Sequence, residues 1–309
     1  MRGLINYGTH CSINSVVQCL YGTRELRGLI RDIDEQEYRA PKKNTVAAML
    51  KGLICEMDKN NHGSCDPSFL IDSMSAYSGL SFEVQEDSDL VFKCILNALT
   101  DDDGPAEKVG QLWDIKMEKR IRCLRCNVVK STLDKLNTIP VFIEDNLPAE
   151  LQEYIKQYSD NTLTMCDYHC AHCHTRTQIE ITSKVLSLPP VVCMWIARVK
   201  NVGRDTVSLV KIDKRLAFPE TLDLKYIMKE PEAAADALYE LYAVIAHCGS
   251  HYSGHYSAYV RGDDTWYLAD DTQVRLCSWD TVKSTYEAGS NFYDGVAYML
   301  MYRRRDSSN

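Results

Sequence analysis

Apolar residues recur with a helical period through the first third of the chain. Val46, Met49, Leu50, Leu53, Ile54 and Met57 fall on one side of a 3.6-residue turn, which predicts an amphipathic helix with a buried stripe. Leu90, Val91, Cys94, Ile95 and Leu99 repeat the stripe, and Asp101-Asp102-Asp103-Gly104-Pro105 ends it. Asn14 to Leu20 reads as a further helix with Ser12 near its cap. From about Trp113 the pattern shortens to β-rich runs around two Cys-x-x-Cys pairs, and Thr177 to Thr182 alternates as a half-buried strand does. Between the pairs, Asn146-Leu147-Pro148 opens a helix whose Leu151, Tyr154, Ile155 and Tyr158 share a face, with Pro148 in its first turn. In the last third, Val191 to Ile196 reads as a fully buried strand. Leu241 to Ala246, Tyr256 to Val260, Thr265 to Leu268 and Ala297 to Tyr302 read as further strands of an antiparallel sheet. Pro231 to Asp236 is an acidic, alanine-rich turn or short helix, a mobile insertion before the Leu241 strand. Arg303 to Asn309 reads as a frayed end. Helices first and strands later predict an α+β fold.

Composition narrows the class. A chain of 309 residues makes one large domain or two small ones and buries roughly 75% of its unfolded surface. With 45% hydrophobic and 25% charged residues, wholesale disorder is excluded. A net charge of −8 favours a basic partner or basic peptide tail over nucleic acid or an anionic membrane. The longest mostly apolar run, Val185 to Ala197, is interrupted by Pro189-Pro190 and is too short for membrane insertion. Thirteen cysteines without a leading apolar segment predict a reducing compartment, cytoplasmic or also nuclear. Nothing calls for an organic cofactor or obligate association, so a monomer is expected.

Two groups of residues carry chemistry. The first is Cys11, followed 244 residues later by His255 and 15 residues after that by Asp270-Asp271. Nucleophile, base and orienting acid in that order suit a thiol hydrolase assembled by a fold that spans the chain. Helix dipole and imidazolium would both favour the Cys11 thiolate. Asp270 would accept the second ring N–H of His255, with Asp271 supporting or replacing it. Asn6 and the Cys11 backbone N–H would donate to the oxyanion, and Gly254 would leave room for a thin substrate strand. Taken singly, each has a plainer reading: a buried small hydrophobe, a structural histidine, a turn.

The second group is Cys123/Cys126 and Cys170/Cys173. Two Cys-x-x-Cys knuckles, 44 residues from Cys126 to Cys170, complete a four-thiolate zinc site with no open coordination position, hence a structural one. Cys166, His169, His172 and His174 crowd the second knuckle as neighbours or substitute ligands. Arg120, Arg122, Arg125 and Lys130 flank the first, but without an aromatic platform they do not make a nucleic-acid site.

These motifs resemble a known family. Gly3 to Gln18, Gly-Leu-x-Asn-x-Gly-x-x-Cys-x-x-Asn-Ser-x-x-Gln, resembles the cysteine box of the ubiquitin-specific proteases. Tyr242 to Gly249, Gly254 to Arg261 and Trp266 to Asp271 resemble their histidine box. Gln85-Glu86-Asp87, Leu188 to Arg198 and Phe218 to Leu224 match intermediate landmarks. The resemblance implies a papain-like fold in one catalytic domain over 1–309: a helical thumb at about 1–110, zinc-bearing fingers at about 111–190 and an antiparallel palm at about 191–305. It implies a cysteine isopeptidase that cleaves a ubiquitin-like modifier, after its C-terminal di-glycine tail, from lysines of conjugated proteins. Asp87, Gly254 and Tyr256 would line the tail cleft. His10 stands where the family usually has Thr, Ala269 where it has an aromatic, and Leu90 where many members carry a second carboxylate. A finer resemblance, on Leu112-Trp113-x-Ile115, Tyr239 to His247, Ser278-Trp279-Asp280, Thr285-Tyr286 and Ala297 to Tyr302, is to the interferon-induced branch. It implies a preference for the interferon-stimulated modifier and contacts with interferon-receptor signalling proteins. General ubiquitin cleavage and a non-catalytic scaffold are the alternatives.

Overall fold

The apolar stripes of the first third fold into six helices, here described from a computed structural model covering residues 1–32, 45–59, 62–101, 105–143, 149–158, 162–203, 207–231, 237–289 and 295–305. They are α1 (Cys11–Gly22), α2 (Arg24–Asp32), α3 (Thr45–Met57), α4 (Ser68–Ser78), α5 (Ser88–Thr100) and α6 (Pro105–Trp113). Val46, Leu50, Leu53, Ile54 and Met57 of α3 are buried as the stripe predicts. On α5 the buried face takes Val91, Cys94, Ile95 and Leu99, but Leu90 is 40% exposed, because Phe92 and Leu96 turn the face away from it. The first helix starts earlier than expected. Cys11 is its first residue and His10 its cap, so Ser12 lies inside the helix, buried, rather than at its end.

Strands follow. β1 (Ile115–Cys123), β2 (Val129–Leu136), β4 (Thr162–His169) and β5 (Arg176–Ser187) form an antiparallel sheet in the order β2-β1-β5-β4. β3 (Thr138–Phe142) leaves that sheet, and α7 (Leu151–Tyr158) follows it. Leu151, Tyr154 and Ile155 share the buried face of α7, whereas the opening at Asn146-Leu147-Pro148 lies outside the described residues.

The larger sheet is built from β3 together with β6 (Val191–Ala197), β9 (Thr221–Asp223), β10 (Leu238–Gly249), β11 (Gly254–Arg261), β12 (Trp266–Asp270), β13 (Gln273–Cys277) and β14 (Val296–Arg304). β7 (Val199–Asn201) and β8 (Leu209–Lys211) make a separate hairpin, and α8 (Trp279–Lys283) is capped by Ser278. Strand order is β13-β12-β11-β10-β14-β6-β3, with β9 on the start of β10. The expected antiparallel pairing has one exception: β3 runs parallel to β6, Ile139 opposite Met194.

The continuous apolar run of β6 has a simple cause, burial on both faces. Val191 and Cys193 face the core shared with the helices; Val192, Met194 and Ile196 face a second core on the far side of the sheet. The expected frayed end is also corrected. Arg303 and Arg304 belong to β14, and Arg303 is held by Glu25 at 3.0 Å and by the Gly22 carbonyl at 3.1 Å. Residues 306–309 and most of the alanine-rich segment, 232–236, lie outside the described residues. Among the described residues, no helix is long and apolar enough to cross a membrane.

Candidate active site

Backbone pairing on both sides of the entry to α1 positions Cys11. Leu4 N–H donates to the Asp271 carbonyl at 2.8 Å and Ile5 N–H to the Cys65 carbonyl at 3.0 Å. A Cβ on Gly3 would stand 2.2 Å from the Thr272 carbonyl oxygen, so only glycine lets this segment lie against the β12–β13 turn. The helical domain and the large sheet therefore meet within a few residues of the thiol, which is itself 2% exposed.

His255 reaches the same place from β11. Its Nε2 lies 2.6 Å from Asp270 Oδ1 at the end of β12, and Cys11 is close enough to raise the ring's proton affinity. The Asp270 hydrogen bond and then that of Cys11 push the His255 imidazolium up to about 10, against the opposing effect of burial. The same bond holds Asp270 below its ordinary value. This arrangement keeps the imidazolium beside Cys11 with the ring's orientation fixed from behind by Asp270.

Asp271 has a different job. It adopts φ 49°, and its two carboxyl oxygens accept from Asn6 Nδ2 and Asn14 Nδ2, each at 2.8 Å. It thus ties the sheet to the start of α1. Asn6 is locked in turn, since its Oδ1 accepts from the backbone N–H of Gly8 at 2.8 Å and of His10 at 3.1 Å. With one amide hydrogen spent on Asp271, the other has no partner among the described residues.

Gln85 is only a landmark in the sequence, and the structure brings it to Cys11. Its Nε2 donates to Cys11 Sγ at 2.9 Å and to the Gly254 carbonyl at 2.8 Å, while its Oε1 accepts the Gly254 N–H at 3.1 Å. Nothing in spacing reveals this, because the two residues are 74 positions apart on different elements. Asn14 was likewise visible only as a motif position.

Three residues expected at a tail cleft lie on this side. A Cβ on Gly254 would stand 2.4 Å from His247 Nε2 and 2.1 Å from the Cys248 carbonyl oxygen; the missing side chain makes room for the chain's own packing. Tyr256 is buried, 4.5 Å ring to ring from His247 and edge-on to Tyr298 at 5.7 Å. Asp87 caps α5 by accepting from Asp89 N–H at 2.8 Å and accepts the Tyr298 hydroxyl on its other oxygen. Burial pushes its carboxyl up. A cavity of about 100 Å³ opens beside them, with Lys211 and Tyr252 on its wall. His247, also on that wall, is pushed down to about 4 by burial, then by Lys211 and His255.

The four cysteines of the two knuckles converge at the tip of the smaller sheet, all sulfurs within 4.8 Å of one another. Cys123 and Cys173 lie 3.9 Å apart, Cys126 and Cys170 3.8 Å. Thiolates about 2.3 Å from one tetrahedral ion would be separated by roughly 3.8 Å, so the cluster fits a metal. The knuckles are built alike. Asn127 and His174 take φ 57° and φ 52°, and each donates its N–H to the carbonyl of its knuckle's first cysteine at 2.9 Å. Cys166, His169, His172 and His174 are not part of the cluster.

Comparison with known proteins agrees with this geometry. A family profile described as ubiquitin carboxyl-terminal hydrolase matches residues 2–302. The chain is 27% identical over 320 residues to "Ubl carboxyl-terminal hydrolase 18" of Mus musculus, covering 99% of this chain and 86% of that protein. It is 24% identical over 322 residues to the Homo sapiens protein of the same name, covering 98% and 85%. It is 26% identical over 342 residues to "Ubiquitin carboxyl-terminal hydrolase 12" of Salmo salar, covering 98% and 90%.

Proposed function

Because the chain belongs to the ubiquitin carboxyl-terminal hydrolase family and is a cysteine-type thiol hydrolase, we propose that Cys11 cleaves a ubiquitin-like modifier, preferentially the interferon-stimulated one, from lysines of conjugated proteins. The observation that carries this reading is the ring of His255 oriented by Asp270 at 2.6 Å, with Cys11 near enough to raise its proton affinity. In the proposed reaction the Cys11 thiolate attacks the carbonyl of the tail's terminal glycine. The oxyanion is received by the free amide hydrogen of Asn6 and the Cys11 backbone N–H. His255 protonates the leaving lysine amine, a thioester to Cys11 forms, and water deprotonated by His255 releases the tail as a carboxylate. Asp271 supports from behind by holding Asn6 and Asn14.

In this reading the helices form the thumb, the four-stranded sheet the fingers and the larger sheet the palm, within one catalytic domain. The tail passes between thumb and palm along Asp87, Gly254 and Tyr256. Zn²⁺ on Cys123, Cys126, Cys170 and Cys173 would clamp the two knuckles, supplying structure and no reactive position. All thirteen cysteines are free thiols, which supports action in a reducing compartment such as the cytoplasm.

The names of the mouse and human relatives support a ubiquitin-like modifier as substrate, and the preference for the interferon-stimulated one draws on the finer resemblance and on Leu90, exposed where many family members carry a second carboxylate. The Salmo salar relative's name supports general ubiquitin cleavage as the second reading. Side-by-side turnover of two tail-fused reporters separates them: the interferon-stimulated modifier should be cleaved faster, and equal or faster ubiquitin turnover would overturn the preference. Labelling by a modifier with a C-terminal electrophile tests the nucleophile, since Cys11→Ala should abolish it. A contact with interferon-receptor signalling proteins rests on the finer resemblance alone; signal damping that survives Cys11→Ala would support it.

A further inference from the structure

Cys11 is 2% exposed, so no carbonyl carbon reaches the roughly 3–3.5 Å from Sγ that attack requires until a covering group withdraws. The side-chain amide of Gln85 lies on that sulfur, its Nε2 donating at 2.9 Å. The same nitrogen donates to the Gly254 carbonyl at 2.8 Å, and Oε1 accepts the Gly254 N–H at 3.1 Å. The amide therefore spans from the helical domain to the first residue of β11, one position before His255.

The loop that carries Gln85 is anchored on both sides of it. Thr9 Oγ1 donates to the carbonyl of buried Phe82 at 3.0 Å, and Asp87 caps α5 and accepts the Tyr298 hydroxyl. Between these anchors Glu83 and Val84 are exposed and Gln85 is half-buried. Exchanging both an N–H and a C=O with one partner is what an extended chain does with its neighbour in an antiparallel pair. Gln85 makes that exchange with Gly254 from a side chain. A planar carboxamide paired in this way, and resting on Sγ, resembles the last peptide unit of an extended tail.

We propose that Gln85 is a displaceable latch: its carboxamide holds the seat of the tail's terminal peptide unit in the free protein, and an arriving tail takes over its bonds to Gly254 and uncovers Cys11. This rests on the proposed cleavage by Cys11 and adds a gate to it. Rotation about the glutamine's own side-chain torsions withdraws the amide while Phe82 and Asp87 stay anchored, so the loop need not move. The gate is selective. A molecule that offers Gly254 no donor and acceptor leaves those two polar groups unpaired when the latch opens, whereas an extended tail satisfies both. Small electrophiles are thereby kept from the thiol.

Alkylation by iodoacetamide, followed cysteine by cysteine by mass spectrometry of the digested protein, tests the latch without any modifier. Gln85→Ala should be alkylated at Cys11 at least roughly tenfold faster than the wild type, with the rates at fully buried Cys19 and Cys193 unchanged. Gln85→Asn, one methylene shorter and unable to span from Sγ to Gly254, should do the same if Gln85→Ala does not fold. With a tail-fused reporter, KM should fall in the variant, because a larger fraction of the protein is open to the tail. Alkylation of Cys11 at an equal or slower rate would overturn the proposal, as would a parallel rise at Cys19 and Cys193, the mark of general loosening. An equal or higher KM would also overturn it, making Gln85 a group that holds the tail rather than yields to it. A wild type that turns over no reporter would instead defeat the cleavage reading, and the alkylation rates would still decide the latch.

Discussion

His247 on β10 and His255 on β11 are diagonal neighbours, and their surroundings push them in opposite directions. Asp270 and Cys11 hold His255 protonated, up to about 10. Burial, Lys211 and His255 itself hold His247 neutral, down to about 4. The first shift belongs to catalysis: Asp270→Asn removes its largest cause, so the alkaline limb of kcat/KM should move to lower pH by at least about one unit. An unmoved limb would mean the bond does not set the proton affinity of the ring. The second belongs to stability. The folded value of His247 lies below the unfolded one, so the unfolded chain takes the proton first as pH falls. Stability should therefore drop between about 6.5 and about 4, by on the order of 3 kcal/mol, and stay level below. Thermal melts across that window should show the slope, and His247→Gln should flatten it. At this scale the sequence was legible where a motif named the atom, as at Cys11 and His255. Gly254 shows the limit: its spacing suggested room for substrate, but the occupant of that room is His247, placed there by strand pairing. Gln85 stood in a motif, but its bond to Cys11 depends on how the loop before α5 packs, which no spacing shows.

Among the elements, legibility followed burial contrast. α3 and α5 show a stripe because one face meets the core and the other meets solvent. β2 and β4 are exposed at nearly every residue, so no alternation marks them. They persist as strands because β1 and β5 pair with them, and the four knuckle cysteines gather at their ends. With an ion on the proposed cysteine site, the smaller sheet would be the element most sensitive to its removal. Removing the ion with a chelator, or Cys126→Ser, should lower the melting temperature and raise amide exchange in β2 and β4 first. Exchange in α1 and β11 should change little. Uniform loss of protection across both sheets would show instead that the cluster supports the whole fold. The knuckle spacing was readable because metal ligands repeat locally, whereas the parallel β3–β6 pair was not, joining strands about fifty residues apart through an excursion into another sheet.

At the scale of the whole chain, the large sheet has a helical core on one face and a second core on the other. The run at Val191 to Ile196 announced this, because only a strand covered on both sides tolerates unbroken apolar sequence. What no periodicity could announce is the strand order. β14, the last strand of the sheet, lies between β10 and β6 and makes ladders with both. A chain ending at residue 295 would leave two buried strand edges without partners, so it should be recovered insoluble and refuse the electrophilic probe. Solubility and labelling equal to the full chain would contradict that expectation.

The central seat of β14 also bears on how the protein comes into being. During translation the sulfur of Cys11 leaves the ribosome well before the strand that seals the sheet carrying His255. Until then the nascent polypeptide holds a thiol without a finished catalytic partner. A premature stop anywhere upstream of that strand is therefore expected to make an inert product rather than an unregulated enzyme.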